Sequence, residues 1–479
     1  MTEEECCNFI VSIAFRRLAR PRSIMRLLPP PLRVVIISTY DLGRQPFGLA
    51  SPAAWLRAEG HEVTTADLSR EPLPQDAVRV ADWIAFHLPM HTATRMAIPQ
   101  IEAARRLNPS ACICCYGLYA PVNEEMLRGL GVTHVIGGEF ERALADVISG
   151  RAASVLPVIL DRLQFRTPDR TTLPVLREYA GLVDGAERKV VGYTEASRGC
   201  KHLCRHCPIV PVYEGRFRVV QRDVVMADIR QQVAAGAQHI TFGDPDFLNG
   251  PGHALAIVDA FHAEFPGVTY DVTIKIEHLL RHREVLPVLA RTGCLFITSA
   301  VESLDDAVLA LLAKGHTRAD FVEALALTRA HGLTMVPTFV AFTPWTTREA
   351  YLDLLRAIRD LDLIESVPPI QLAIRLLIPA GSKLLELEEL HAGAFDPAAL
   401  SYRWQHPDPE MDRMCSDLQK LVGMGDRLGA SRPRIFGTIW ERAFGEPADF
   451  ETGTGASLPR LTEAWYCCAE PEEDPFTVV

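Results

Sequence analysis

The chain lacks any apolar run long enough to cross a membrane. Hydrophobic residues make up 48% of its 479 positions but come in short stretches, whereas a spanning helix needs about 20 in succession. It also lacks the positively charged start of a secretory signal. Glu3, Glu4 and Glu5 precede the short apolar stretch from Phe9 to Phe15, the reverse of the required charge order. The basic piece Arg16 to Arg26 then meets Pro29-Pro30-Pro31, so residues 1–32 read as an extension, with Met25 an alternative start. Positive charge is not in excess either. The 49 Lys and Arg against 60 Asp and Glu give a net charge of -11, which leaves no broad basic surface for electrostatically driven nucleic-acid binding. The twelve cysteines lack the spacing of a small disulfide scaffold. They cluster as Cys6-Cys7, Cys112 with Cys114-Cys115, three in the centre, and Cys467-Cys468, a pattern of free thiols and metal ligands that predicts a reducing, cytoplasmic setting.

One further absence decides the chemistry. The segment Cys200-Lys201-His202-Leu203-Cys204-Arg205-His206-Cys207 has three cysteines and no fourth nearby. A structural zinc site needs four ligands, usually with a second pair at knuckle spacing. His202 and His206 lie inside the tight loop, where the side chains of adjacent ligands point apart. A ferredoxin-type site would read C-x2-C-x2-C-x3-C-P, and this loop has three residues in its first gap. Three thiolates can instead hold three irons of a [4Fe-4S] cube and leave the fourth iron open.

The hydrophobic pattern divides the chain. From Arg33, Val34-Val35-Ile36-Ile37 reads as a strand buried on both faces. Further strands follow at Glu62 to Ala66, Trp83 to Phe86, Ala111 to Cys115 and His134 to Ile136, with helical stretches between them near 93–107 and 123–130. That alternation predicts a Rossmann-like doubly wound α/β domain over 33–150. Residues 151–190 carry Pro157, Pro168 and Pro174 and read as a linker, held to the core by Leu156, Phe165 and Leu173. Alternation resumes over 191–390. Strands are expected at Val190 to Tyr193, His239 to Phe242, Tyr270 to Ile276, Leu295 to Thr298, Met335 to Ala341 and Ile370 to Leu377, which predicts a partial (β/α)6 barrel. The remainder, 391–479, reads as a C-terminal extension with a helix from Met411 to Leu421 and a mobile end.

The C-x3-C-x2-C loop after the first barrel strand resembles that of the radical S-adenosylmethionine (SAM) superfamily. The resemblance implies that SAM occupies the open iron and yields a 5′-deoxyadenosyl radical. It also implies an electron donor such as flavodoxin or ferredoxin and a small-molecule or peptide substrate. On the same basis Gly243 and Asp244 are expected to meet the methionyl part of SAM, although Gly-Asp-Pro-Asp is also plain turn chemistry. Glu302 and Ser303, in a segment similar to the family's G-V-E-S, are expected at the ribose or methionyl groups. Ser303 with Asp306 also fits a helix start, as do Thr317 with Asp320 and Thr346 with Glu349. His206 is expected against the adenine. Arg375 is expected to point into the barrel, toward an acid of SAM or of the substrate or toward an internal partner. Trp345 either lines the pocket or packs.

The first domain, with Gly137-Gly138-Glu139 after its last strand, is similar to the cobalamin-binding domains that precede many radical SAM cores. Its first loop, Ser38-Thr39-Tyr40-Asp41-Leu42-Gly43, lacks the D-x-H-x-x-G motif that gives cobalt a histidine. That leaves cobalamin held without a protein histidine, or a domain kept for packing or substrate contact. The ending Trp465-Tyr466-Cys467-Cys468-Ala469-Glu470-Pro471 resembles the CUAEP/CCAEP-tail radical SAM (seleno)proteins, in some of which selenocysteine replaces the second cysteine. The resemblance implies thiol redox chemistry at Cys467 and Cys468. An idle exposed pair, or ligands of a second cluster with Cys294 or Cys415, are the alternatives. Cobalamin-dependent methyl transfer and non-catalytic electron transfer are the competing functions.

Overall fold

The computed structural model describes residues 31–152, 155–448, 450 and 458–463. Cys467 and Cys468, and with them the expected tail chemistry, lie outside the described residues.

The first sheet is wholly parallel. Its strands are β1 (Arg33–Ser38), β2 (Glu62–Asp67), β3 (Trp83–His87), β4 (Cys112–Tyr116), β5 (His134–Gly138) and β6 (Val158–Ile159), in the spatial order β2-β1-β3-β4-β5-β6. Its apolar strands alternate between two buried layers. Val35, Ile37, Ile84, Phe86 and Ile113 pack on one face, and Val34, Ile36, Ala85, Cys114 and Ile136 on the other. A strand buried on both sides has no polar face to show, which is why these runs carry no polar residue. The chain order reverses between β1 and β3, so the crevice at their carboxyl ends is the usual ligand position of such a sheet.

The second sheet comprises β7 (Gly181–Asp184), β8 (Glu187–Thr194), β11 (His239–Phe242), β12 (Thr269–Thr273), β13 (Cys294–Glu302), β14 (Thr334–Phe339) and β17 (Arg460–Leu461). Their order is β14-β13-β12-β11-β8-β7-β17. Five of them, β8, β11, β12, β13 and β14, run parallel as a half-barrel, and β7 and β17 add antiparallel at one edge. The short pairs β9 (Ser197–Gly199) with β10 (Phe217–Val219), and β15 (Ala392–Asp396) with β16 (Ser401–Trp404), stand apart.

The sixth barrel strand expected at Ile370 to Leu377 is reduced to a single rung, Phe342 beside Arg375. Pro368 and Pro369 start a 3-10 turn, Pro369–Leu372, in its place; proline offers no N–H to a ladder and is suited to a first helical turn. The stretch 151–190 supplies β6 to one sheet and β7 to the other. Phe165 and Leu173 are buried there, but Leu156 is 74% exposed. Two helices, Pro409–Arg427 and Arg432–Phe444, make the C-terminal part more regular than the sequence suggested. Their Met411, Leu418, Ile435 and Ile439 join the core beneath the half-barrel. Among the described residues no helix is long and apolar enough to cross a membrane.

Candidate active site at the mouth of the half-barrel

β8 ends at Thr194, and the chain turns through β9 into the three-cysteine loop. Gly199 closes that turn with φ 74°, a conformation that L side chains rarely adopt. A Cβ there would also lie 2.5 Å from the Arg216 carbonyl oxygen. The loop is tied to its surroundings through main-chain groups. The Arg205 N–H donates to the Leu312 carbonyl at 3.0 Å, the Cys207 N–H to the Cys204 carbonyl, and the Lys201 N–H to Asn249 Oδ1. Cys204 is buried, and Cys200 and Cys207 are half-buried. Burial pushes the Cys200 thiol up to about 12. It raises Cys204 as well, against the pull of Lys314 and Lys275. Desolvated thiols give up their protons when a metal binds them, and the two lysines add positive charge where an iron–sulfur cluster would bring negative charge.

All three cysteines open into one cavity, which His206, Gly243, Asp244 and Glu302 also line. Glu302 reaches it through backbone geometry. β13 bulges between Ala300 and Glu302, and Glu302 adopts φ 71°; a bulge of this kind re-aims a side chain. Its Oε1 receives His206 Nε2 at 3.1 Å and the Lys314 ammonium at 3.3 Å. Burial alone would raise the Glu302 carboxyl, but Lys314 and His206 hold it down at about 2. His206 is thereby turned onto Glu302.

Asp244 has both oxygens engaged: Ala196 N–H donates to Oδ2 at 2.9 Å and Ser197 Oγ–H to Oδ1 at 2.5 Å. Burial pushes it up to about 7 against those donors. It fastens the turn that launches the cysteine loop. Gly243 has a packing reason of its own, since a Cβ there would fall 1.9 Å from the Tyr193 hydroxyl. His202 does not point away from the cysteines as expected. Cys200, His202 and Asp246 bring ligand atoms within 4.8 Å of one another, and Asp246 Oδ2 also lies 2.7 Å from His278 Nδ1.

Two expected cofactor contacts fall elsewhere. Arg375 bonds Asp412 Oδ1 and the Trp404 carbonyl and stacks on the Trp404 ring; the lost sixth strand leaves it between the barrel and the C-terminal helices. Ser303 lies past the end of β13 and accepts the Asp305 N–H at 3.0 Å. The next helix is capped by Asp305, not Ser303. Thr317 and Asp320 do form a capping box, whereas Thr347 caps the helix assigned to Thr346. Trp345 packs, its indole N–H donating to the Glu389 carbonyl. Cys294 and Cys415 are buried in the core, hydrogen-bonded to main-chain carbonyls, so neither faces the three-cysteine loop.

Residues 194–361 match the model of the radical SAM superfamily. The chain carries a radical SAM domain. Hopanoid C-3 methylase from Methylococcus capsulatus is 24% identical to it over 342 residues, 66% of this chain and 64% of the methylase. A tRNA-2-methylthio-N(6)-dimethylallyladenosine synthase from Chlorobaculum tepidum is 27% identical over 209 residues, 42% of this chain and 44% of the synthase. The chain thus spans less than two thirds of the length of either relative. Among solved structures, the cobalamin-dependent radical SAM enzyme OxsB with aqua-cobalamin bound aligns with TM-score 0.63 and 14% identity, over 83% of this chain and 67% of OxsB. The radical SAM methyltransferase TsrM from Kitasatospora setae aligns with TM-score 0.58 and 16% identity, over 69% of this chain and 71% of TsrM. These likenesses establish the architecture of N-terminal parallel sheet plus radical SAM half-barrel.

Sequence reading missed several charged residues around this cavity and the cysteine loop. Lys275 and Lys314 gather at the strand ends beside Cys204. Arg198 was missed entirely. Its guanidinium makes a two-bonded fork with Glu141 at 2.9 and 2.6 Å and bonds Glu195 at 2.6 Å. It lies between the rings of Phe47, Phe140 and Phe165. Two residues before Cys200, it ties the cysteine loop to the end of the first sheet.

Proposed function

We propose that the protein is a radical SAM enzyme that takes a hydrogen atom from a small-molecule or peptide substrate held inside the half-barrel. One observation carries this reading: the three cysteines and the strand-end residues Gly243, Asp244 and Glu302 open onto a single cavity. The donor set fits a site-differentiated cluster, with three thiols on one loop and cationic side chains beside them. When bound, the cluster supplies the electron that splits SAM into methionine and a 5′-deoxyadenosyl radical. The chain's own share is placement and protection. Asp244 fixes the turn that sets the loop, while Gly243, Glu302 and His206 form the wall expected to meet SAM. The apolar strands that wall the half-barrel limit the hydrogen donors near the radical. Small electron-transfer proteins of the flavodoxin or ferredoxin class are the proposed reductant.

Anaerobic reconstitution with iron and sulfide, followed by SAM and dithionite, tests the reading. Formation of methionine and 5′-deoxyadenosine is expected. A reconstituted protein that binds iron yet leaves SAM intact would reduce it to an electron carrier.

A redox role for the tail thiols belongs to the same proposal. β17 pairs with β7, and Tyr40 hydrogen-bonds Glu463. Leu461 lines the cysteine cavity. Cys468 is five residues beyond Glu463 in the sequence. Cys468→Ser is expected to spare SAM cleavage and to lower turnover of the true substrate by tenfold or more; equal turnover would remove the tail from the chemistry.

A second reading, cobalamin-dependent methyl transfer, is favoured by the likeness to OxsB across both sheets. The crevice between β1 and β3 offers no histidine in its first loop. It also holds the buried His87 ring, where a Cβ on Gly48 would lie only 2.1 Å from that ring. Stoichiometric cobalamin retained through gel filtration would establish this second reading.

A further inference from the structure

The cavity carries four carboxylates in its wall: Asp244, Asp246, Asp271 and Glu302. Three have evident work. Asp244 is bonded at both oxygens, Asp246 faces two histidines, and Glu302 has the Lys314 ammonium. Asp271 differs. It lies mid-strand in β12, two residues or about 7 Å before the strand end, on the floor of the half-barrel and away from the cysteine loop. It is 4% exposed.

Both of its protein contacts converge on one oxygen. Thr241 Oγ–H donates to Oδ1 at 2.6 Å, and His239 Nε2 lies 2.9 Å from the same Oδ1. His239 Nδ1 is 2.8 Å from Thr269 Oγ1. The ring is thus held between the Thr269 hydroxyl at Nδ1 and Asp271 at Nε2, where Nε2–H donates to the carboxylate. Among the described residues nothing bonds Oδ2. The neighbouring wall residues Thr273, Thr298 and Ala300 are neutral. A buried carboxylate with one oxygen held and the other turned into the cavity is an acceptor suited to a cationic donor. The three cationic side chains of this cavity are engaged elsewhere: Lys275 lies 3.6 Å from Glu277, Lys314 pairs with Glu302, and the Arg44 guanidinium stacks over the Tyr193 ring at 4.8 Å.

Building on the radical SAM reading, we propose that Asp271, held by Thr241 and His239, is the substrate-ammonium site, so that the enzyme selects molecules bearing a protonated amine. The amine would anchor the substrate on the floor and leave its carbon skeleton directed toward the strand ends.

The test uses the reconstituted full-length protein under anaerobic conditions with three isosteric probes: pentylamine, pentan-1-ol and pentanoate. Saturation-transfer NMR reads binding. Pentylamine is expected to bind saturably, and the alcohol and the acid at least tenfold more weakly. Asp271→Asn should weaken pentylamine by about thirtyfold or more, the scale on which a buried charge partner is felt. Thr241→Val keeps the charge and should keep the amine preference, which covers the case of an Asn variant that does not fold. Pentanoate binding as tightly as pentylamine, no pentylamine binding by the wild type, or equal binding by Asp271→Asn would each overturn the proposal. SAM cleavage by the wild-type protein is scored separately. If SAM is cleaved but pentylamine is not bound, only the ammonium site falls; if pentylamine binds but SAM survives, the radical reading falls and the amine site stands.

Discussion

Cys204→Ala is expected to abolish both cluster assembly and SAM cleavage, taking 5′-deoxyadenosine formation to background. Cys204 is the buried member of the triad, and Lys314 and Lys275 act most directly on its sulfur. Two remaining thiols cannot hold three irons, and neither His202 nor His206 is free to replace the third. His202 lies against Asp246 and Glu277, and His206 bonds Glu302. Cys294→Ala and Cys415→Ala are the matched controls, because both thiols sit in the core away from the loop. Iron content and the electron paramagnetic resonance signal of the dithionite-reduced protein report the cluster, and chromatographic assay of methionine and 5′-deoxyadenosine reports the reaction. Equal cleavage by Cys204→Ala would sink the three-thiolate site.

Much of this site was legible because its chemistry is local. The three cysteines, Gly243, Asp244 and Glu302 stand at the ends of strands whose apolar runs are unmistakable, and the half-barrel brings those ends together. What failed to read from sequence depends on contacts far apart in the chain. Arg375 sits in an apolar stretch that looks like a strand, but Pro368-Pro369 ends the ladder and Asp412 and Trp404 claim the guanidinium. Asp271 reads as one polar residue in a strand; only the fold shows that Thr241 and His239 hold one of its oxygens and free the other. β6 and β7 are too short for any period to announce them. They exist because exposed edges of two long sheets were there to pair with.

Arg198 is the extreme case of such a distant contact, and its loss should be the most damaging single change outside the cluster. Arg198→Met is expected to destabilise the protein by about 3–5 kcal/mol, the cost typical of leaving one side of a buried ion pair uncompensated. Glu141 and Glu195 would lose their hydrogen-bonded partner, and Glu139, 3.7 Å from the guanidinium, its nearest cation. Burial already pushes Glu139 up to about 7, with Arg198 the main force holding it down. Glu195 is raised by burial too. A carboxyl raised on folding stabilises the fold below its unfolded value near 4.5, and that contribution is lost as pH rises through the folded value. Removing Arg198 raises these groups further, so the deficit of the variant should be greater at pH 8 than at pH 6. Thermal unfolding of the wild type and Arg198→Met at those two pH values measures it. Arg198→Lys keeps the charge without the two-bonded fork to Glu141 and should fall between them. A deficit that does not change with pH would mean that Arg198 acts through its packing on Phe47, Phe140 and Phe165 alone. A variant as stable as the wild type would remove Arg198 as the tie between the first sheet and the cysteine loop.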